Sequence, residues 1–113
     1  MGLDKSKLKR GCKSIELVGL TDAHVRTIDG NERDTLMQWH EDFKAAKDDE
    51  LKAASILFQH RCVSMYLSDK NAMRMISDAE INDVNSLALP DVRMIIKEGE
   101  AYNFALLDDT KKN

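Results

Sequence analysis

The sequence predicts a mainly α-helical fold: one small helical domain of about four helices with a short N-terminal β-hairpin. Three observations predict it. Apolar residues recur at spacings of three and four through the segments between Leu36 and Leu106. Two helix-start signals stand in the second half, Ser77-x-x-Glu80 and Leu89-Pro90-Asp91. Alternating β-branched residues are confined to one stretch near the N-terminus, His24 to Ile28.

The bulk numbers set the scale. A chain of 113 residues holds one domain with one modest core. Aromatic residues make up 5%, so the core is expected to be Leu, Ile, Val, Ala and six Met. Charged residues at 33% and a mean hydropathy of -0.46 describe a well-solvated exterior. No apolar run reaches the roughly 18 residues of a membrane span, and no apolar stretch comes after the first basic residues as a secretory signal requires. Membrane binding is therefore not expected. Residues 1–13 carry a net +4 and the remainder -7, which sum to the overall -3. An acidic body with a basic tail is not the charge distribution of a nucleic-acid-binding domain. Residues 1–12 are expected as a disordered basic tail, 13–107 as the domain and 108–113 as a polar C-terminal tail. Cys12 and Cys62, 50 residues apart, are expected as free thiols in a reducing cytoplasm.

Each element has its own local signal. Lys13 to Val18 and His24 to Ile28 form the expected hairpin around Gly19-Leu20-Thr21-Asp22; a lone hairpin is marginal, so it must pack on helices. The first helix starts after Asp29-Gly30-Asn31, with Asp29 or Asn31 as cap, and places Leu36, Trp39, Phe43 and Ala46 on one face. The second runs from about Asp49 to Leu67, with Leu51, Ala54, Leu57, Phe58, Cys62, Met65 and Tyr66 as its buried stripe and Arg61 as the exception. Asp69-Lys70-Asn71 is a turn. Ser77-x-x-Glu80 opens the third helix, with Ile76 and Ile81 at staple positions and Ile81, Val84, Leu87 and Ala88 as its apolar face. Pro90 suits the first turn of the fourth, because its missing N–H had no partner there. Val92, Ile95, Ile96, Gly99, Tyr102 and Leu106 line that helix, with Gly99 a weak point or a close contact, and it is expected to end near Leu107.

No chemistry-bearing constellation stands out. Asp69-Lys70-Asn71 with Glu80 resembles a calcium loop only faintly, because Met73 and Arg74 occupy the fifth and sixth positions where an oxygen ligand and glycine are needed. His60 and Cys62 are two residues apart on a helix and so point to different faces, which argues against zinc. Nothing assembles an oxyanion hole or orienting acid around Cys62, and no glycine loop cradles phosphate. The residues from Gly2 to Ser6 match an acylation pattern formally; a basic tail is the plainer reading. The expectation is a protein without catalytic residues, metal or cofactor. Flexible thioethers tolerate varied partners, so Met73, Met75 and Met94 are the candidate partner-binding residues, with Trp39 beside them, although Trp39 also fits a core stripe.

From Ile56 to Asn103 the order of motifs resembles the tail assembly chaperones of long, non-contractile-tailed bacteriophages. The matching segments are Tyr66-Leu67-Ser68-Asp69, Met73 to Ile76, Ser77-Asp78-Ala79-Glu80-Ile81, Leu87-Ala88-Leu89-Pro90 and Ala101-Tyr102-Asn103, with Glu32-Arg33-Asp34 similar to the opening of the family's earlier helix. The usual glycine of the turn is missing, with Ala72 near its place, and the basic tail is extra. The resemblance implies a non-enzymatic chaperone in the host bacterial cytoplasm, absent from the mature virion. Its implied partners are the phage tape-measure protein, the tail tube protein, a frameshifted longer form of itself with the slip near Lys111-Lys112, and a further copy by self-association. The other function class open to such a chain is a small helical binding module of a different kind, such as a head–tail adaptor or a regulator.

Overall fold

A computed structural model describes residues 2–112 of the chain, with side chains over residues 2–104. The expected architecture is what it shows: a mainly helical domain with a small antiparallel sheet near the N-terminus. The elements are β1 (Cys12–Ser14), β2 (His24–Arg26), α1 (Gly30–Lys44), α2 (Leu51–Tyr66), β3 (Leu67–Ser68), a 3-10 helix (Asp78–Ser86) and α3 (Leu89–Lys112).

The hairpin is present and gains a third strand. β2 is central, with Cys12 opposite Arg26 on one side and Val25 opposite Leu67 on the other. The second helix ends one residue earlier than expected, at Tyr66, because Leu67 turns extended and feeds directly into β3. That third strand supplies the packing a two-stranded ribbon lacks. The expected tail is also shorter. Gly11 exchanges hydrogen bonds with Thr27, the Thr27 N–H donating to the Gly11 carbonyl at 2.9 Å and the Gly11 N–H to the Thr27 hydroxyl at 3.0 Å. Arg10 pairs with Asp29 at 3.1 Å and with Glu32. Residues 10–12 therefore belong to the fold, and the segment before them holds one short 3-10 turn, Lys5–Lys7, capped by Asp4.

α1 opens on a capping box. The Glu32 N–H donates to the Asp29 carboxylate at 2.8 Å and the Asp29 N–H to the Glu32 carboxylate at 3.1 Å. Its stripe of Leu36, Trp39, Phe43 and Ala46 is only half-buried, and no residue of α1 is fully buried. α2 is divided in the same sense. Cys62 to Tyr66 are buried all round, whereas Leu51 and Leu57, expected inside, are exposed. The reason is coverage: the first half of α2 meets α1, with Phe43 and Phe58 stacked at 5.7 Å, while its second half enters the core between the sheet and α3. Arg61, the polar exception on the stripe, lays its guanidinium 5.4 Å from the Trp39 ring centre.

The third helix is the main correction. Its start signal holds, the Glu80 carboxylate accepting the Ser77 N–H at 3.1 Å and hydroxyl at 2.8 Å, but the helix it opens is a nine-residue 3-10 helix bent at Glu80. Ile81, Val84 and Leu87 recur every three residues, which aligns them on one side at three residues per turn but not at 3.6. α3 starts with Pro90 in its first turn, as expected, and continues beyond Leu107 to Lys112, where no Gly or Pro interrupts it. The residues expected as a polar tail are helical as far as Lys112; Leu106 and the Lys111-Lys112 pair lie outside the described side chains.

Polar anchors close the fold. The buried Asp91 carboxylate accepts from the Val18 N–H at 2.7 Å and the Gly19 N–H at 2.8 Å, fastening the β1–β2 loop to the start of α3. Asn103 accepts from the Ile28 N–H at 2.9 Å and donates to the carbonyls of Arg26 and Gly99, at 3.1 and 2.8 Å, fastening the far part of α3 to the end of β2. Between these anchors Gly99 packs against the Tyr66 ring. The core of Val25, Val63, Tyr66, Leu67, Val84 and Ile95 sits where sheet, α2 and α3 meet.

Candidate partner-binding groove

α3 carries more apolar surface than its neighbours cover. Val92, Ile95 and Gly99 face the core and are buried. The adjacent stripe, Leu89, Arg93, Ile96, Lys97, Glu100 and Phe104, forms one wall of an open groove of about 810 Å³. Leu36 of α1 and Gln59 of α2 contribute to its other side, and Tyr66 of α2 lines it although wholly buried. Volumes of this order are typical of binding sites.

Two features give the groove a chemical character. Arg93 and Lys97 are exposed, one helical turn apart, and among the described residues neither takes part in an ion pair. The Tyr66 hydroxyl is buried and has no hydrogen-bond partner, a state that costs roughly 1–3 kcal/mol. Burial pushes the Tyr66 pKa up, and nearby Cys62 and Glu100 push it the same way, so the phenol stays neutral. Cys62 is pushed up to about 12 by burial first and Glu100 second, which makes it an inert thiol.

The residues singled out from sequence fall on three separate segments. Met73 and Met75 flank Arg74 after the turn and are 64% and 41% exposed; Met94 on α3 is 37% exposed. Arg74 is held between them, its guanidinium donating to the Ser64 carbonyl at 2.8 Å and to Asp78 at 2.8 Å. The turn itself is built by Asp69, whose carboxylate accepts from the N–H groups of Asn71 and Met73 at 2.8 and 3.1 Å. Ala72 completes it at a φ of 63°, the left-handed conformation that favours glycine. Trp39 is half-buried on α1 over Arg61, away from the methionines in the chain and outside the groove lining.

A second cluster is structural. Arg26, 3% exposed, donates to the Met65 carbonyl at 2.8 Å and to Glu32 at 2.6 Å, and Glu32 also receives Arg10. Burial acts against the Glu32 charge, but hydrogen bonds from Arg10, Arg26 and the Asp29 N–H outweigh it and hold its pKa below the ordinary value. Among the described residues no three His, Cys, Asp or Glu side chains converge as a metal site, and no helix is long and apolar enough to cross a membrane.

Sequence reasoning missed the groove. The stripe read for α3 includes Ile96 but not Leu89, Arg93, Lys97, Glu100 or Phe104, which form most of the wall. Compared with known proteins, the chain matches no family model, no curated sequence and no solved structure.

Proposed function

We propose that the protein is a non-enzymatic protein-binding module, and that it serves as a tail assembly chaperone of a long, non-contractile-tailed phage, holding the tape-measure protein and tail tube subunits during assembly. The observation that carries the first step is the open apolar groove along α3, which offers surface to a partner while the core is complete without it. The second step rests on the order of motifs from Tyr66 to Asn103. Exposed Met73, Met75 and Met94 suit a chaperone that must accept an extended client of varied sequence.

Co-expression with the tape-measure protein from the same genome tests the reading. The expected result is a soluble complex that co-purifies, and loss of that complex when Met73, Met75 and Met94 are all replaced by Gln with the circular dichroism spectrum unchanged. A tape-measure protein that stays insoluble, or is equally soluble without this chain, refutes the chaperone reading.

A further inference from the structure

We infer that the groove along α3 receives an amphipathic helical segment of a client protein, one carrying two acidic side chains a turn apart beside its apolar stripe. The inference deepens the proposed function and rests on it for the word client; the groove chemistry stands on its own.

The shape argues for a helix. The α3 wall runs from Leu89 to Phe104 at steps of three and four residues, which is about 22 Å at 1.5 Å per residue. A compact small molecule leaves most of such a trough empty. A helix of four turns laid along it presents apolar side chains at the same spacing, the usual helix-in-groove arrangement.

The charges argue for the sequence of that helix. Within a chain of net charge -3, the exposed groove wall carries Arg93 and Lys97 one turn apart, with no ion pair to either among the described residues, and then Glu100. A complementary occupant has an acid, an acid and then a base at matching positions, so the groove selects both composition and direction.

The test uses the full chain and two fluorescein-labelled helical peptides of about 15 residues with identical leucine stripes. One is flanked by Glu, Glu and Lys at successive turns, the other by Lys, Lys and Glu. Fluorescence anisotropy should show the acidic peptide binding at least about tenfold more tightly. The double variant Arg93→Glu/Lys97→Glu, whose side chains are exposed and whose folding is checked by circular dichroism, should reverse that preference. Equal binding of the two peptides, no binding of either, or a preference that survives charge reversal overturns the inference. Sodium laurate, an apolar chain with one carboxylate, is the remaining probe: if it binds and neither peptide does, the groove takes a small amphiphile and the inference fails. The same double variant separates the two readings. If it still retains the tape-measure protein as well as the wild type does, the groove assignment falls and the chaperone reading stands. If the peptides behave as expected but the wild-type chain does not hold the tape-measure protein, the chaperone reading falls and the groove assignment stands.

Discussion

Replacing Gly99 by Ala sets two ordinary effects against each other. In a helix interior Ala is better than Gly by about 1 kcal/mol, so local propensity alone predicts a more stable protein. The structure predicts the reverse. A Cβ on residue 99 would meet the root of the Tyr66 ring, 2.6 Å from Cδ2 and 2.8 Å from Cβ, and closer still to Cγ. Relaxed carbon contacts lie near 3.5–4.0 Å, so about 1 Å must be found. It cannot come from the far end of a flexible side chain, because the atoms concerned sit next to the α2 backbone and Tyr66 is wholly buried. α3 must shift outward, straining the Asn103 bridge to Ile28 and Arg26. Overpacking of this kind costs about 1–3 kcal/mol, and the closeness of the contacts places Gly99→Ala at the upper end. Net of the propensity gain, about 2 kcal/mol of destabilisation is expected, or roughly 8 °C in Tm for a domain of this size. Thermal unfolding followed by circular dichroism measures it, and Tyr66→Ala, which removes Cγ and Cδ2, provides the control background in which the penalty should shrink. An unchanged or raised Tm for Gly99→Ala would refute the packing of α3 on α2.

The polar anchors and the thiols carry further expectations. Asp91→Asn removes the charge that receives two backbone N–H groups and should lower stability by about 2 kcal/mol, read as a fall of about 1 M in the urea midpoint; an unchanged midpoint means the β1–β2 loop is not held there. Glu32→Gln leaves Arg26 nearly buried without its counter-charge and should cost roughly 2 kcal/mol at neutral pH, less than a fully buried pair because the Glu32 side chain is still 20% exposed. Because the folded-state pKa of Glu32 is depressed, its charge contributes stability above the ordinary value of 4.5 and loses it as pH falls through the lower folded value, so the wild type should show an acid-side decline that the Gln variant shows less. Iodoacetamide at pH 8 should alkylate half-buried Cys12 before Cys62, whose burial keeps it protonated up to about 12, and should reach both in denaturant; equal native rates would contradict the buried position of Cys62.

The features legible in the chain were those that depend on neighbours in sequence. Ser77 with Glu80 and Pro90 are start signals whose atoms act within three or four residues, and both stand where the pattern put them; of the two cap candidates Asp29 and Asn31 it is Asp29 that caps, through a box with Glu32 that was not read, and α1 starts earlier than expected, at Gly30. The hairpin was legible from its β-branched alternation. Its third strand was not, because Leu67–Ser68 is two residues long and carries no period, and only pairing with Val25 and His24 makes it a strand. The 3-10 helix was missed because a capping signal announces a helix without fixing its pitch; the three-residue repeat of Ile81, Val84 and Leu87 was the cue. Arg26, Asp91 and Asn103 gave no local sign of their roles, since the bonds by which they join separate elements reach between 39 and 77 residues along the chain. The exposure of Met73 and Met75 agreed with a surface role, whereas the groove depended on how much of α3 the other helices cover, which no local pattern states.

The uneven burial explains how one small domain can be both stable and accommodating. Among the described residues, every large one that is wholly buried lies in the sheet, the second half of α2, the 3-10 helix or the first half of α3, and the anchors Arg26, Asp91 and Asn103 tie the sheet to α2 and α3. α1 has no fully buried residue and is fastened at its start by the Asp29–Glu32 box and the arginines on Glu32. Local stability tracks buried contacts, so the α1 end of the molecule can shift at lower cost than the core. Leu36 on α1 faces the groove across from α3, whose wall is rigidly seated by Gly99 on Tyr66. One wall is therefore fixed and the other adjustable. With the proposed helix as occupant, that arrangement would admit helices of differing girth while Arg93 and Lys97, on the fixed wall, keep the charge register constant. On the proposed reading, a groove of this construction selects its occupant by charge first and adapts to its side chains second.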